Sequence, residues 1–246
     1  MQNKAAIMVI GDEILSGRTR DSHVQTLAQF LLPFGIEAGE ARIIADVPAQ
    51  IAATVNTLRA QYRYVFTTGG IGPTHDDRTA EAVARAFGVP IGVRADARAM
   101  LEAHYANTGT ALNAARLRMA RIPDGASLIN NPLTGAPGFQ LENVFVLAGV
   151  PAVLRAMLAD VAPRLKPETA PKSLTVRAPG LREGDVAAPL GALAEHYPML
   201  SIGSYPWLEG ADRGVNLVAR GRDEKALENA AKSLRALVRE HGIAPQ

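Results

Sequence analysis

The sequence predicts an α/β fold, with a largely parallel sheet covered by helices on both faces, followed by a small α+β unit. Three observations predict it. Strand-like apolar runs alternate with helical patterns through the first part of the chain. Glycine-containing turns stand where those runs end. After a proline-rich stretch from Pro163 to Pro171, the pattern changes to strand, helix, strand, strand, helix.

Ala5 to Ile10 is continuously apolar, as expected of a strand buried on both faces. It runs into Gly11, Asp12 and Glu13. Ser22 and Gln25 match a capping box. Behind them Val24, Leu27, Ala28, Leu31 and Leu32 keep helical spacing up to Gly35. Ile36 to Ile44 reads as the next strand, ending at Asp46. Pro48 then opens a helix with Ile51, Val55 and Leu58 on one face. Tyr64 to Phe66 reads as a third buried strand, and the pattern from Ala80 to Phe87 as a helix stopped by Gly88.

Further on, Ala97 to Tyr105 and Ala111 to Arg121 read as helices. Arg116, Arg118 and Arg121 form either a solvated helix face or a contact for an anionic ligand. Ala126 to Ile129, Phe139 to Leu141 and Val144 to Leu147 read as strands, the last two paired, and Ala148-Gly149-Val150-Pro151 opens a helix. The expected division is 1–166 and 172–246. In the second unit Asp223 caps a helix whose stripe runs from Leu227 to Val238. This unit carries no cluster of catalytic residue types.

Composition narrows the function. The 246 residues are 48% hydrophobic and 20% charged, and formal net charge is +2 without a dense basic run. Nucleic-acid binding therefore has no electrostatic footprint. With 0 cysteines, thiolate catalysis and disulfides are excluded. The N-terminal segment does not read as a signal peptide and no apolar stretch reaches membrane length, so the expected location is cytoplasmic, away from membranes. No Walker A pattern occurs.

The informative stretch is Thr67 to Gly88, TTGGIGPTHDDRTAEAVARAFG. A strand, a loop holding Gly69, Gly70 and Gly72, and a helix start form the geometry that receives phosphate on free backbone N–H groups. Asp76 and Asp77 add carboxylates, which a plain phosphate cradle does not need without a metal or an acid–base step. The competing reading is structural: glycine turns often close strands, and an aspartate before a helix is often a cap. The same choice holds for Asp46 before the Pro48 helix. Parallel strands would bring Asp12, Glu13, Asp46, Asp76 and Asp77 to one rim. His75 is a candidate acid or base, or a bystander.

GDEILSG at 11–17, Asp46, the 67–88 stretch, TGAPGF at 134–139 and AGVP at 148–151 follow one another in an order that resembles the molybdopterin-binding-domain family. Within it the chain resembles the CinA (competence/damage-inducible protein) branch, and it is similar to the molybdopterin-binding-like half of eukaryotic FAD synthase. The resemblance implies a three-layer α/β/α fold and a small-molecule nucleotide or pterin ligand. It matches Asp46 and Asp77 to the two key aspartates of molybdopterin-adenylylating relatives. It implies ligand or phosphate contacts at Gly11, Asp12, Glu13, Thr68, Gly69, Gly70, Gly72, Pro73, Thr74, Asp76, Thr79, Gly135, Pro137, Gly138, Gly149 and Pro151.

The expected activity is metal-dependent pyrophosphatase action on an ADP-ribose- or FAD-like dinucleotide. Asp46 and Asp77 would hold Mg, Mn or Co, with K as a further cation. The alternatives are molybdopterin or nucleotide binding without turnover, and molybdopterin adenylylation. A homo-dimer or trimer is implied. The sequence stops before the amidase domain of longer relatives, so that activity is expected to be absent. It also departs from the family pattern at His23, where Asn is usual, at Ala148, where Pro is usual, and at Val153, where Glu is usual.

Overall fold

A computed structural model describes residues 4–246. The chain forms two compact units that divide between Glu168 and Thr169.

The first unit runs through β1 (Lys4–Ile10), α1 (Asp12–Leu15), α2 (His23–Leu31), β2 (Glu37–Ile44), α3 (Pro48–Gln61), β3 (Tyr64–Thr68) and α4 (Thr79–Phe87). It continues with β4 (Ile91–Val93), α5 (Ala95–Thr108), α6 (Ala114–Leu117), β5 (Arg121–Pro123), β6 (Ser127–Ile129), β7 (Gly138–Leu141), β8 (Val144–Leu147) and α7 (Pro151–Val161). The main sheet has the order β2-β1-β3-β8-β7-β6. Its β2, β1, β3 and β8 are mutually parallel, while β7 and β6 are antiparallel additions.

Alternation along β1 accounts for the layers. Ala5, Ile7 and Val9 face α2 and α7, in a core with Leu27, Leu31, Leu154 and Met157. Ala6, Met8 and Ile10 face the opposite layer, with Ile51, Val55, Val83 and Leu101. A strand buried on both faces must be apolar at every position, which is why the run from Ala5 to Ile10 has no polar break. Phe66 and Phe145 stack at 4.9 Å between centroids and join β3 to β8.

Local expectations needed two corrections. Ser22 stands at the N-cap of α2 without a side-chain cap bond, so the capping box does not form. Asp21 supplies the cap: its carboxylate accepts the backbone N–H groups of His23 and Val24 at 2.9 and 3.2 Å. The expected helix over Ala111 to Arg121 is also broken up. Asn113 caps the short α6 by accepting the Arg116 N–H at 2.9 Å, and a 3-10 turn covers Arg118–Ala120. Arg121 then enters β5, opposite Val93 of β4, in a small separate sheet.

The second unit comprises β9 (Lys172–Pro179), α8 (Glu183–His196), β10 (Ser201–Glu209), β11 (Asp212–Gly221) and α9 (Glu224–Glu240). Its antiparallel sheet has the order β10-β11-β9. Val176, Ala178, Val215, Leu217 and Ala219 alternate inward against Val186, Leu190, Leu227 and Leu234. Asp223 accepts the Ala226 N–H at 2.9 Å and caps α9 as expected. Among the described residues no helix is long and apolar enough to cross a membrane.

Candidate functional site

Because β1, β2, β3 and β8 are parallel, their carboxyl ends deliver four loops to one edge of the sheet. The first residues of two loops still continue the ladder: Gly11 donates to the Ile44 carbonyl at 3.1 Å, and Gly69 to the Leu147 carbonyl at 3.2 Å. Between the loops lies a cleft of about 500 Å³, a volume suited to a nucleoside- or pterin-sized molecule. Gly11 and Glu13 line it after β1, and Asp46 after β2. Gly69, Gly70, Gly72, Pro73, Asp76 and Asp77 line it after β3, and Ala148, Gly149, Val150 and Val153 after β8.

The acidic rim does not cap helices. Val47, not Asp46, is the N-cap of α3, and Arg78 is that of α4, each without a side-chain cap bond. Asp46 instead accepts the backbone N–H of Asp12 at 3.0 Å. Burial pushes the Asp46 carboxyl above its ordinary range. The charges of Asp12, Glu13 and Asp76 push the same way, against the lowering effect of the Asp12 N–H. Asp77 closes the glycine loop: its Oδ2 accepts the Thr74 N–H at 2.8 Å and the Thr74 hydroxyl at 2.6 Å. The nearby Thr74 hydroxyl and its own backbone N–H hold the exposed Asp76 carboxyl below its usual range, with the His75 charge adding to both. The His75 side chain is 96% exposed and lies outside the cleft wall.

The glycines have a second cause besides the positive φ that Gly69 and Gly70 adopt. Gly70 sits at φ +68°, and a Cβ there would fall 2.2 Å from Thr79 Oγ1. The obstacle is the protein's own helix start. A Cβ on Gly149 would lie 3.0 Å from Gly69 Cα, so the third-strand and β8 loops press together as bare backbone.

Several expected contacts fall elsewhere. Thr68 and Thr79 are fully buried, and their hydroxyls have no hydrogen-bond partner. Both sit behind the glycine loop. The Thr74 side chain faces the carboxylates of Asp77 and Asp76, and Asp12 acts on Asp46 through its N–H and its charge. Pro151 starts α7 beside the cleft without lining it; Gly135 sits within the loop from Asn130 to Pro137 against His104, and Gly138 opens β7 against Met157 and the Val146 carbonyl. Pro137 lines a narrow recess next to the cleft.

Residues missed from sequence also line the cleft: Ile10, Ile71, Tyr105, Met119, Asn131, Thr134 and Ala136. Asn131 had a usable signal, being an asparagine in a turn-rich loop. It is 2% exposed, its Oδ1 accepts the N–H groups of Leu133 and Thr134, and its Nδ2 donates to Thr134 Oγ1 and the Ala136 carbonyl. Tyr105 offered none, since it reaches the cleft only through the placement of α5. Val153 is 7% exposed and packs into the core below the cleft. This wall is apolar.

An open α/β sheet with loops of glycine and aspartate around a cleft at its carboxyl edge defines a class of small-molecule-binding domain. Comparison with known proteins narrows the class. Residues 6–167 match the family described as "Probable molybdopterin binding domain", and residues 175–246 match "FAD synthase, middle domain". A CinA-like protein of Geobacter metallireducens is 32% identical over 96% of this chain and 59% of its own length. A probable FAD synthase of Caenorhabditis elegans is 31% identical over 96% of this chain and 50% of its own. An Aeropyrum pernix protein is 32% identical over 95% of this chain and 91% of its own. The solved structure of CinA from Thermoplasma acidophilum, titled as of unknown function, has 30% identity and a TM-score of 0.61, covering 65% of this chain and 98% of that one. The chain belongs to the molybdopterin-binding-domain family, in its CinA-like branch, and spans little more than half the length of the CinA-like and FAD synthase relatives named above.

Proposed function

We propose that the first unit is a metal-dependent nucleotide pyrophosphatase acting on an ADP-ribose- or FAD-like dinucleotide. The observation that carries the reading is the meeting of Asp46 and Asp77 with the Gly69–Gly72 backbone in one cleft of about 500 Å³. The likeness to a protein named probable FAD synthase supports a dinucleotide over a simple phosphate ester.

Among the described residues, no three His, Cys, Asp or Glu side chains converge as metal ligands. Two carboxylates nevertheless fit a Mg²⁺-like ion that completes its shell with water and substrate phosphate oxygens. The raised Asp46 carboxyl, crowded by like charges, is the donor a cation would relieve. When bound, Mg²⁺, Mn²⁺ or Co²⁺ would neutralise the diphosphate and polarise it toward attack by water. The chain's own part is to bind and orient. The N–H groups of Gly70 and Gly72 receive phosphate oxygens, and Thr74 fixes the Asp77 carboxylate. The apolar face at Ala148, Val150 and Val153 takes a ring and keeps water away from it.

A second reading, binding of molybdopterin or a nucleotide without turnover, is favoured by one observation: the cleft wall after β8, at Ala148, Gly149, Val150 and Val153, carries no carboxylate. Molybdopterin adenylylation would use the same loops in the bond-forming direction. Chromatography of FAD and ADP-ribose incubated with the protein, with and without each metal, tests the proposal. Metal-dependent appearance of AMP with FMN or ribose 5-phosphate supports it. Saturable binding without products would favour the carrier.

A further inference from the structure

Three arginines lie close together in the segment leading to β5, and their surroundings differ. Arg121 is paired with Glu81. Arg116 donates to the Ala111 carbonyl at 2.6 Å and its guanidinium lies 5.1 Å from the centre of the Tyr105 ring. Arg118 has neither arrangement. Its Nε is buried without a hydrogen-bond partner, and it forms no ion pair among the described residues.

Arg118 lines a small recess of about 20 Å³ together with Gly70, Gly72, Asp77, Met119 and Pro137. Gly70, Ile71, Gly72, Asp77 and Met119 also line the main cleft, so the recess adjoins it along the glycine loop. Its size decides what it can take. A space of this volume holds about one water-sized group, so a ring is excluded and the end of a small charged group fits. The carboxylates already there are engaged, Asp77 with Thr74 and Glu81 with Arg121. The buried Arg118 Nε–H is the donor left without an acceptor.

We infer that Arg118 is an oxyanion-binding residue, receiving a terminal phosphate oxygen of the ligand whose ring occupies the main cleft. This rests on the proposed nucleotide site and adds a position for its anionic end. A guanidinium is always charged and presents a planar fork that matches phosphate. Charge-assisted bonds of this kind are the strong ones, above all in a partly desolvated recess. The break of the expected helix at Asn113 is what brings Arg118 here. On a continuous helix from Ala111 to Arg121, Arg118 would not be carried by the 3-10 turn that leads into β5.

The test is calorimetric binding of ADP and of adenosine to the full chain with Mg²⁺, for wild type, Arg118→Gln and Arg118→Lys. Arg118→Gln is expected to weaken ADP binding on the order of 10- to 100-fold and to leave adenosine binding unchanged. Arg118→Lys keeps the charge and most of the stem but loses the fork, and is expected to hold ADP several-fold more weakly than wild type. It also covers the case in which the glutamine variant fails to melt cooperatively. ADP affinity unchanged in the folded variants would overturn the role of Arg118 and leave the nucleotide site standing. Wild type that binds neither ADP nor adenosine would overturn both.

Discussion

The Nε2 of His23 lies 2.8 Å from the carbonyl oxygen of Gly149, and its Nδ1 lies 3.0 Å from Asp21 Oδ1. The ring thus ties the start of α2 to the loop after β8, across 126 positions of sequence. His23→Ala should cost about 1–3 kcal/mol by leaving the Gly149 carbonyl without its side-chain donor. His23→Asn, which keeps a side-chain amide donor, should recover part of that. Urea unfolding of the two variants checks the order.

Asp46 sets a trade between stability and ligand binding. Its folded pKa is raised, chiefly by burial, so the folded state prefers the protonated carboxyl. The associated stability is fully present below the ordinary carboxylate pKa of about 4 and is lost as pH rises through the raised folded value. Asp46→Asn keeps an acceptor for the Asp12 N–H and removes the charge. It should be more stable than wild type at neutral pH, by under about 1 kcal/mol once solvent screening is allowed for. The difference should vanish on acidification. Melting curves at neutral and acid pH read this directly.

Gly70 is held by its own protein. Gly70→Ala places a Cβ against Thr79 Oγ1 at a φ of +68°, and should destabilise by about 1–3 kcal/mol. Thr79→Ala in the same chain removes the colliding hydroxyl and should restore part of the loss, leaving the backbone strain. A double-mutant cycle measures the coupling. Purely additive effects would show that the collision does not govern the site.

Asn131 holds the loop that closes the cleft. Asn131→Ala should cost about 1–3 kcal/mol and weaken ligand binding together. Asn131→Asp keeps acceptors for the Leu133 and Thr134 N–H groups but sets a carboxylate against the Ala136 carbonyl, and should do no better. Thermal melting paired with ligand titration distinguishes a loop organiser from a passive wall.

The strand–helix alternation of the first unit and the βαββα order of the second were legible because continuous apolar runs and amphipathic stripes report burial directly. The acidic rim was legible for a related reason: parallel strands must end on the same edge, so Asp46 and Asp77 could be brought together from topology alone. The segment from Ala111 to Arg121 misled because its composition suits a helix. Its break depends on Asn113 in an extended conformation and on Arg121 pairing across to β4, which are tertiary facts. Tyr105 and Met119 were invisible for the same reason, since what exposes them to the cleft is the docking of α5 and the turn after α6. The glycine loop was legible, and the positive φ expected of it is present at Gly69 and Gly70; a second reason for its glycines was not. Its side chains are excluded at Gly70 and Gly149 by Thr79 and Gly69, contacts that spacing does not reveal.

The central claim is that Asp46 and Asp77 act together in one catalytic cleft. The direct measurement is the rate of AMP release from ADP-ribose with saturating Mn²⁺, for wild type, Asp46→Asn and Asp77→Asn, each shown folded by its melting curve. The account predicts turnover in wild type and a loss on the order of 100-fold or more in each variant. Wild-type rates in both folded variants would contradict it.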